Sequence, residues 1–212
     1  MSIFENRKEA GQRLAHLLQH YRNKPNTWVL ALPRGGVPVA FEIARALHLP
    51  MDLFLVRKLG VPGQEELAMG AISLQGIKVV NEEVVEAFKI SPRKINAVLK
   101  KEQTELARRN ERYRKGRSFP PITRHTIILV DDGIATGATA EAAILSLRQL
   151  KPAKIILAVP VAAASSLRTL RVLVDQLVCL EAPEHFSSVG AWYQNFEQVN
   201  DDEVCTLLAQ AG

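Results

Sequence analysis

The sequence predicts an α/β fold, a doubly wound and mostly parallel sheet that carries a helical insertion. Three observations predict it. Apolar runs of strand length alternate with segments of helical period, most regularly in the second half, and this is the pattern of successive β-α-β units. The longest of those runs, 127–130 and 155–161, are strand-sized and bounded by turn residues. The 212 residues suffice for one such domain, and neither an internal repeat nor a low-complexity linker divides them. Residues 1–212 are therefore expected to form a single unit.

Taken in order, residues 3–22 place Ala10, Leu14, Leu17, Leu18 and Tyr21 at helical spacing. Residues 27–32 are a short apolar run of strand formers, broken by Pro33-Arg34-Gly35-Gly36. Residues 37–47 read as a helix with Pro38 in its first turn. A strand is expected over 51–56, a polar loop marked by Gly and Pro over 57–70, and a hairpin from 71–74 and 77–80 around Gln75-Gly76. A helix over 82–88 and a long helix from Ser91-Pro92 to about Lys115, ended by Pro120-Pro121, make 81–121 an insertion. Strands follow at 125–130, 154–161 and 176–180, with helices at 137–150, 165–174 and 203–211, the last capped by Asp201.

Composition narrows the class. The chain is 47% apolar and 23% charged, as ordinary globular proteins are, and no apolar run approaches the length of a membrane span. The N-terminus, Met-Ser-Ile-Phe-Glu-Asn-Arg-Lys, has no apolar signal core, so a cytoplasmic protein is expected. Cys179 and Cys205 lack metal-ligand spacing and read as small buried apolar residues. The net charge is +5, but 93–117 holds ten Lys or Arg against three Glu, so this segment carries +7 and the remainder −2. Such a stripe is usually a solvated helix face. It can also attract nucleic acid or a polyphosphate, although only Tyr113 interrupts it with an aromatic ring.

The chemistry is expected where open parallel sheets bind ligands, at the carboxyl ends of strands. The strongest signal is Ile127-Ile128-Leu129-Val130-Asp131-Asp132-Gly133-Ile134-Ala135-Thr136-Gly137-Ala138-Thr139. A buried strand delivers two adjacent carboxylates, and a turn of small and hydroxylated residues then opens a helix. Backbone N–H groups at such a helix start cradle anions, and glycine and alanine let a phosphate approach closely. Thr136 and Thr139 add hydroxyl donors. Asp131 and Asp132 can accept hydrogen bonds from two sugar hydroxyls or orient the water of a metal ion. Phosphate and diol side by side describe a ribose phosphate. A nucleoside-triphosphate P-loop would need a lysine where Ala138 stands, and a dinucleotide fingerprint would need three closer glycines.

This string resembles the phosphoribosyl-pyrophosphate motif of type I phosphoribosyltransferases. The resemblance covers roughly 27–74 and 125–195. It implies that Asp131 and Asp132 hold the ribose 2- and 3-hydroxyls, while Ala135, Thr136, Gly137, Ala138 and Thr139 cradle the 5-phosphate. Leu32-Pro33-Arg34-Gly35-Gly36 resembles the pyrophosphate loop, with Arg34 as its cation and Gly35 and Gly36 exposing backbone N–H groups. Arg57-Lys58-Leu59-Gly60-Val61-Pro62-Gly63 resembles the start of the flexible catalytic loop of adenine phosphoribosyltransferases. Pro183-Glu184-His185-Phe186, opening a C-terminal segment over 183–212, resembles the base-binding segment of hypoxanthine-guanine enzymes, with Phe186 at the stacking position and Trp192 and Tyr193 as further candidates.

The resemblance further implies Mg²⁺ as cofactor, held by the substrate phosphates and waters rather than by a protein cage, and a homodimer. The implied reaction transfers ribose 5-phosphate from phosphoribosyl pyrophosphate to a nitrogen nucleophile such as a nucleobase, with Arg34, Arg57 and Lys58 stabilising the departing pyrophosphate. Ala135 stands where hypoxanthine-guanine enzymes carry an aspartate, which disfavours a 6-oxopurine. Glu65 and Glu66 are then the candidates for acid–base work, as in an adenine-type mechanism. The alternative reading is a regulator that senses phosphoribosyl pyrophosphate and binds RNA through the basic helix 93–117.

Overall fold

The structure is a computed structural model that describes residues 3–211, with the side chain of Glu66 outside the described set. In chain order its elements are α1 (Arg7–Leu17), β1 (Thr27–Ala31), α2 (Gly36–Leu47), β2 (Met51–Leu53), β3 (Val56–Val61), β4 (Gln64–Ser73), β5 (Lys78–Val80), α3 (Glu82–Ala87), α4 (Pro92–Arg114), β6 (Thr126–Val130), α5 (Ala138–Gln149), β7 (Lys154–Val161), α6 (Ala164–Arg171), β8 (Gln176–Glu181) and α7 (Asp201–Gln210).

The central sheet runs β2-β1-β6-β7-β8, and every neighbouring pair is parallel. Alternate strand residues serve two cores. Val29, Ala31, Ile128, Val130, Ile156 and Ala158 pack toward α1, α2 and α7, whereas Leu30, Ile127, Leu129, Ile155, Leu157 and Val159 pack toward α5 and α6. Covering both faces is why these strands are apolar throughout and do not alternate with polar residues. The doubly wound parallel sheet expected from the sequence is present. Chain order reverses between β1 and β6, which lie side by side with Ala31 opposite Val130. A crevice opens at such a switch point beyond the strand ends.

One expectation is corrected. Residues 57–70, read from sequence as a loop, form the two long strands β3 and β4, which pair antiparallel and take β5 at the edge of a second sheet ordered β3-β4-β5. The strands escaped notice because glycine interrupts them. The register shifts on both sides of Gly60, where any Cβ would lie 2.8 Å from the Glu65 carbonyl oxygen, and Gly63 turns the chain at φ +85°. Between these breaks Leu59, Val61, Met69 and Ala71 are buried, which is what holds the hairpin down.

Smaller corrections concern the ends of elements. The first helix is confined to α1 by Asn6, whose side chain accepts a hydrogen bond from the Glu9 amide. Asn200, not Asp201, caps α7 by accepting from the Glu203 amide.

The insertion is helical as expected. On α4, Leu99, Leu106 and Tyr113 recur every seven residues and are buried. Arg114 is only 1% exposed. Its guanidinium donates to Asp52 at 3.0 Å, to Asn110 at 2.9 Å and to the Leu53 carbonyl, and it lies over the Phe119 ring. A buried cation with three acceptors ties the helix to the edge of the sheet. No helix among the described residues is long and apolar enough to cross a membrane.

Candidate active site

The loops after β1 and β6 meet at the switch point. The peptide between Pro33 and Arg34 is cis. Gly35 and Gly36 then pass so close to the paired acids that neither could carry a side chain without displacing something. A Cβ on Gly35 would lie 2.0 Å from Asp132 Oδ2, and one on Gly36 would lie 2.7 Å from the Val130 carbonyl oxygen. Arg34, Gly35, Gly36, Asp131 and Asp132, widely separated in sequence, are thus brought together. Asp131 remains half-buried and accepts a hydrogen bond from the Asp132 amide at 2.9 Å.

The remainder of the β6 loop leads to α5. Ala135, Thr136 and Thr139 are exposed, and Ala138 is half-buried. Gly137 occupies the N-cap position at φ +82° and offers no side chain to the first amides of the helix. The Ala138 amide reaches Thr136 Oγ1 only at a long 3.5 Å, which leaves it and the positive end of the helix dipole open to an anion. The Ser166 hydroxyl donates to the Ala135 carbonyl and steadies the loop from α6.

Residues from both ends of the chain surround the acids, and sequence reasoning missed most of them. Arg7, in the first turn of α1, donates from Nε to Asp132 Oδ2 at 2.8 Å and from a terminal nitrogen to the Glu197 carbonyl at 2.8 Å. Its guanidinium carbon sits 3.8 Å from the Phe196 ring centroid, and Phe196 stacks on Tyr193 at 5.0 Å. The Tyr193 hydroxyl donates to the Asp132 carbonyl. Arg7 did leave a trace in the sequence: a cation in the first helical turn opposes the helix dipole and needs a compensating acid.

The electrostatics follow from this packing. Burial pushes the Asp131 carboxyl well above the ordinary carboxylate range, and the charge of Asp132 pushes it the same way, while the Arg7 guanidinium offsets part of both. Burial likewise raises the Tyr193 hydroxyl, which keeps it a donor.

Two of the cations named from the sequence, Arg34 and Arg57, lie against acids. An Arg34 terminal nitrogen lies 3.7 Å from Asp201 Oδ1, and Tyr113 donates to the same carboxylate at 2.8 Å. Burial, with that hydrogen bond, raises Tyr113 to about 12. Arg57 donates to the buried Glu102 of α4 at 2.6 Å. Lys58 is half-buried on β3.

Other candidates lie apart. Glu65 is exposed beside the hairpin turn, roughly 17 Å along the strand from Val56 at ~3.3 Å per residue. Glu66 lies on β4, but its side chain is outside the described residues. Phe186 is half-buried against the Phe4, Val161 and Tyr193 cluster, with Trp192 alongside. Gly133 is pressed by this C-terminal segment, since a Cβ there would lie 2.4 Å from Val189 Cγ1.

Residues 2–192 match the phosphoribosyl transferase domain family. A protein of Mycobacterium tuberculosis H37Rv, provisionally named a phosphoribosyl transferase, is 46% identical over 211 residues that cover 100% of this chain and 47% of the relative. The chain therefore spans about half the length of the curated relatives it matches. The crystal structure of the Thermus thermophilus protein TT1426 superposes with a TM-score of 0.88 at 36% identity, covering 98% of both chains. An Aquifex aeolicus protein, AQ2163, shares the fold at a TM-score of 0.54 and 11% identity, covering 87% of this chain and 76% of that one.

Proposed function

The chain belongs to the phosphoribosyl transferase family, and from that premise we propose that it moves ribose 5-phosphate from phosphoribosyl pyrophosphate to a nitrogen nucleophile and releases pyrophosphate. The observation that carries this reading is the meeting of the two loops, with Gly35 and Gly36 laid against Asp131 and Asp132 beneath an uncapped helix start. A phosphate on the amides of α5, a diol on the acids and a diphosphate along residues 33–36 form one continuous ligand.

In this reading the chain's residues bind, orient and stabilise charge. The first amides of α5, with Thr136 and Thr139, receive the 5-phosphate. Asp131 and Asp132 accept hydrogen bonds from the ribose hydroxyls, and Arg7, donating to Asp132 Oδ2, holds that carboxylate in place. As the bond from the anomeric carbon to oxygen breaks, negative charge grows on pyrophosphate next to Arg34 and the amides of the β1 loop. Arg57 and Lys58 stand at the root of the β3–β4 hairpin, where a closing hairpin would bring them over the leaving group and exclude water.

Magnesium fits these donors as an ion that arrives with the diphosphate. Among the described residues no three His, Cys, Asp or Glu converge into a cage, whereas two hard oxygen donors stand at the loop junction. Bound there, Mg²⁺ would neutralise the diphosphate, with Asp131 and Asp132 reaching its waters.

Ala135 has no acid–base group, so we read the acceptor as something other than a 6-oxopurine. The regulator reading gains little from the basic helix. Arg108, Arg109, Arg112 and Arg114 are all held by carboxylates, so much of the charge is structural.

The test is calorimetric titration of phosphoribosyl pyrophosphate with and without Mg²⁺, on the wild type and on Asp131→Asn. Magnesium-dependent binding that the variant loses supports the reading, and a panel of bases and amines screened for pyrophosphate release then identifies the acceptor. A folded wild-type protein that does not bind refutes it.

A further inference from the structure

The helical insertion reaches the centre of the site. We propose that Arg109 of α4 is a pyrophosphate-binding residue, a role that rests on the transferase reading above and gives the insertion a part in the reaction. Arg109 and Leu106 form one wall of a small cavity whose other walls include Pro33, Thr139 and Val56. The loop assigned to the diphosphate, the loop assigned to the 5-phosphate and the root of the hairpin therefore border the same cavity as this cation.

The side chain is held ready for an anion. Arg109 is half-buried and donates only from Nε, to Glu105 at 2.7 Å. Its terminal nitrogens have no hydrogen-bond acceptor among the described residues, although a guanidinium carries five N–H donors. Glu105 is itself fixed by Arg108 at 2.8 and 3.0 Å. Hydrogen bonds from Arg108 and Arg109 lower its carboxyl to about 2, so it remains a charged anchor throughout the working pH range. A planar fork fixed at one nitrogen, on a residue that borders both phosphate loops, matches bidentate recognition of phosphate.

Neighbouring cations differ from Arg109 in ways that make the choice specific. Arg108 shares the Glu105 partner, but it is 57% exposed and does not line the cavity. Arg112 is engaged by Asp201 and Asp202, and Arg34 lies nearest the other Asp201 carboxylate oxygen. Of the α4 arginines, Arg109 alone borders both Pro33 and Thr139.

The experiment titrates the full chain with pyrophosphate in the presence of Mg²⁺, comparing wild type, Arg109→Gln, Arg109→Lys and Arg108→Gln, each checked for folding by circular dichroism. Losing a charge-assisted bidentate contact should weaken binding about tenfold to a hundredfold in Arg109→Gln. Arg109→Lys, which keeps the charge and loses the fork, should fall between that variant and the wild type. Arg108→Gln removes an equal charge bound to the same Glu105 and should stay within about threefold of the wild type.

An Arg109→Gln protein that binds as the wild type does overturns the inference. So does an Arg108→Gln protein that loses as much, because the effect would then be a general field. If Arg109→Gln does not fold, wild-type affinity in Arg109→Lys overturns the claim of a planar fork. A folded wild-type protein that binds neither pyrophosphate nor phosphoribosyl pyrophosphate overturns the transferase reading together with this one.

Discussion

Gly35→Ala isolates the contact between the two loops. Gly35 has φ −60° and ψ −34°, a conformation any residue adopts, so the substitution adds a methyl group without backbone strain. That methyl carbon would lie 2.0 Å from Asp132 Oδ2, 2.4 Å from its Cγ and 2.8 Å from Oδ1. The carboxylate must withdraw by about 1 Å or more to reach even a tight contact. Asp132 Oδ2 is the atom bonded to Arg7 at 2.8 Å, so withdrawal breaks that bond. Loss of a charge-assisted hydrogen bond costs about 1.5–3 kcal/mol, and overpacking a close-fitted site costs about 1–3 kcal/mol more. The expected destabilisation is therefore about 2.5–6 kcal/mol, read from urea unfolding, with binding of phosphoribosyl pyrophosphate lost as well. Pairing the change with Asp132→Ala removes the obstacle, so the double variant should be more stable than the sum of the single losses predicts, by about 2 kcal/mol. Wild-type stability in Gly35→Ala, or strict additivity in the pair, would refute the reasoning.

Three further outcomes follow from the same packing. Asp131→Asn should lose ligand binding and yet gain stability near neutral pH. Desolvation and the neighbouring Asp132 make the Asp131 carboxyl hold its proton more tightly folded than unfolded, so wild-type stability falls as pH rises from the ordinary carboxylate range through the raised folded value. The asparagine removes that slope, as urea midpoints between about pH 4 and about pH 8 would show. Arg114→Met leaves the largely buried Asp52 carboxylate without its partner and should cost about 3–5 kcal/mol in chemical denaturation; Arg114→Lys, which lacks the fork for three acceptors, should not restore the loss. Tyr193→Phe strips the Asp132 carbonyl of its donor and should cost about 1–3 kcal/mol, visible as a lowered unfolding midpoint.

The legible parts of the molecule were those governed by local periodicity. β6, β7 and β8 stand where apolar runs predicted strands, and α4 stands where Ser91-Pro92 predicted the start of a long helix. The paired acids and the Thr-Gly-Ala-Thr turn were legible because their order along the chain is also their order in space. The β3–β4 hairpin was hidden because its bulge at Gly60 and its turn at Gly63 carry the composition of a loop. Arg7 was hidden for another reason: it lies 125 residues from Asp132, and no local pattern records that separation. The same holds for Arg114 and Asp52, 62 residues apart, and for Tyr113 and Asp201, 88 residues apart.

These long-range pairs share a physical logic. Two adjacent carboxylates at the end of a buried strand repel each other and resist desolvation, so they cannot both stay ionised without a counter-charge. The β6 loop offers no cation of its own between Asp131 and Thr139, and the charge must come from elsewhere in the chain. Arg7 provides it from α1, and Arg7 is in turn held by the Phe196 ring and the Glu197 carbonyl. Tyr193, from the same C-terminal segment, fixes the Asp132 backbone. The two ends of the chain therefore fix the direction of Asp132, while Asp131 has no ion pair among the described residues and is, on the proposed transferase reading, the acid left for a ligand's hydroxyls or a hydrated cation. Two residues of the same type, one position apart, thus acquire different duties from the partners that folding brings to them.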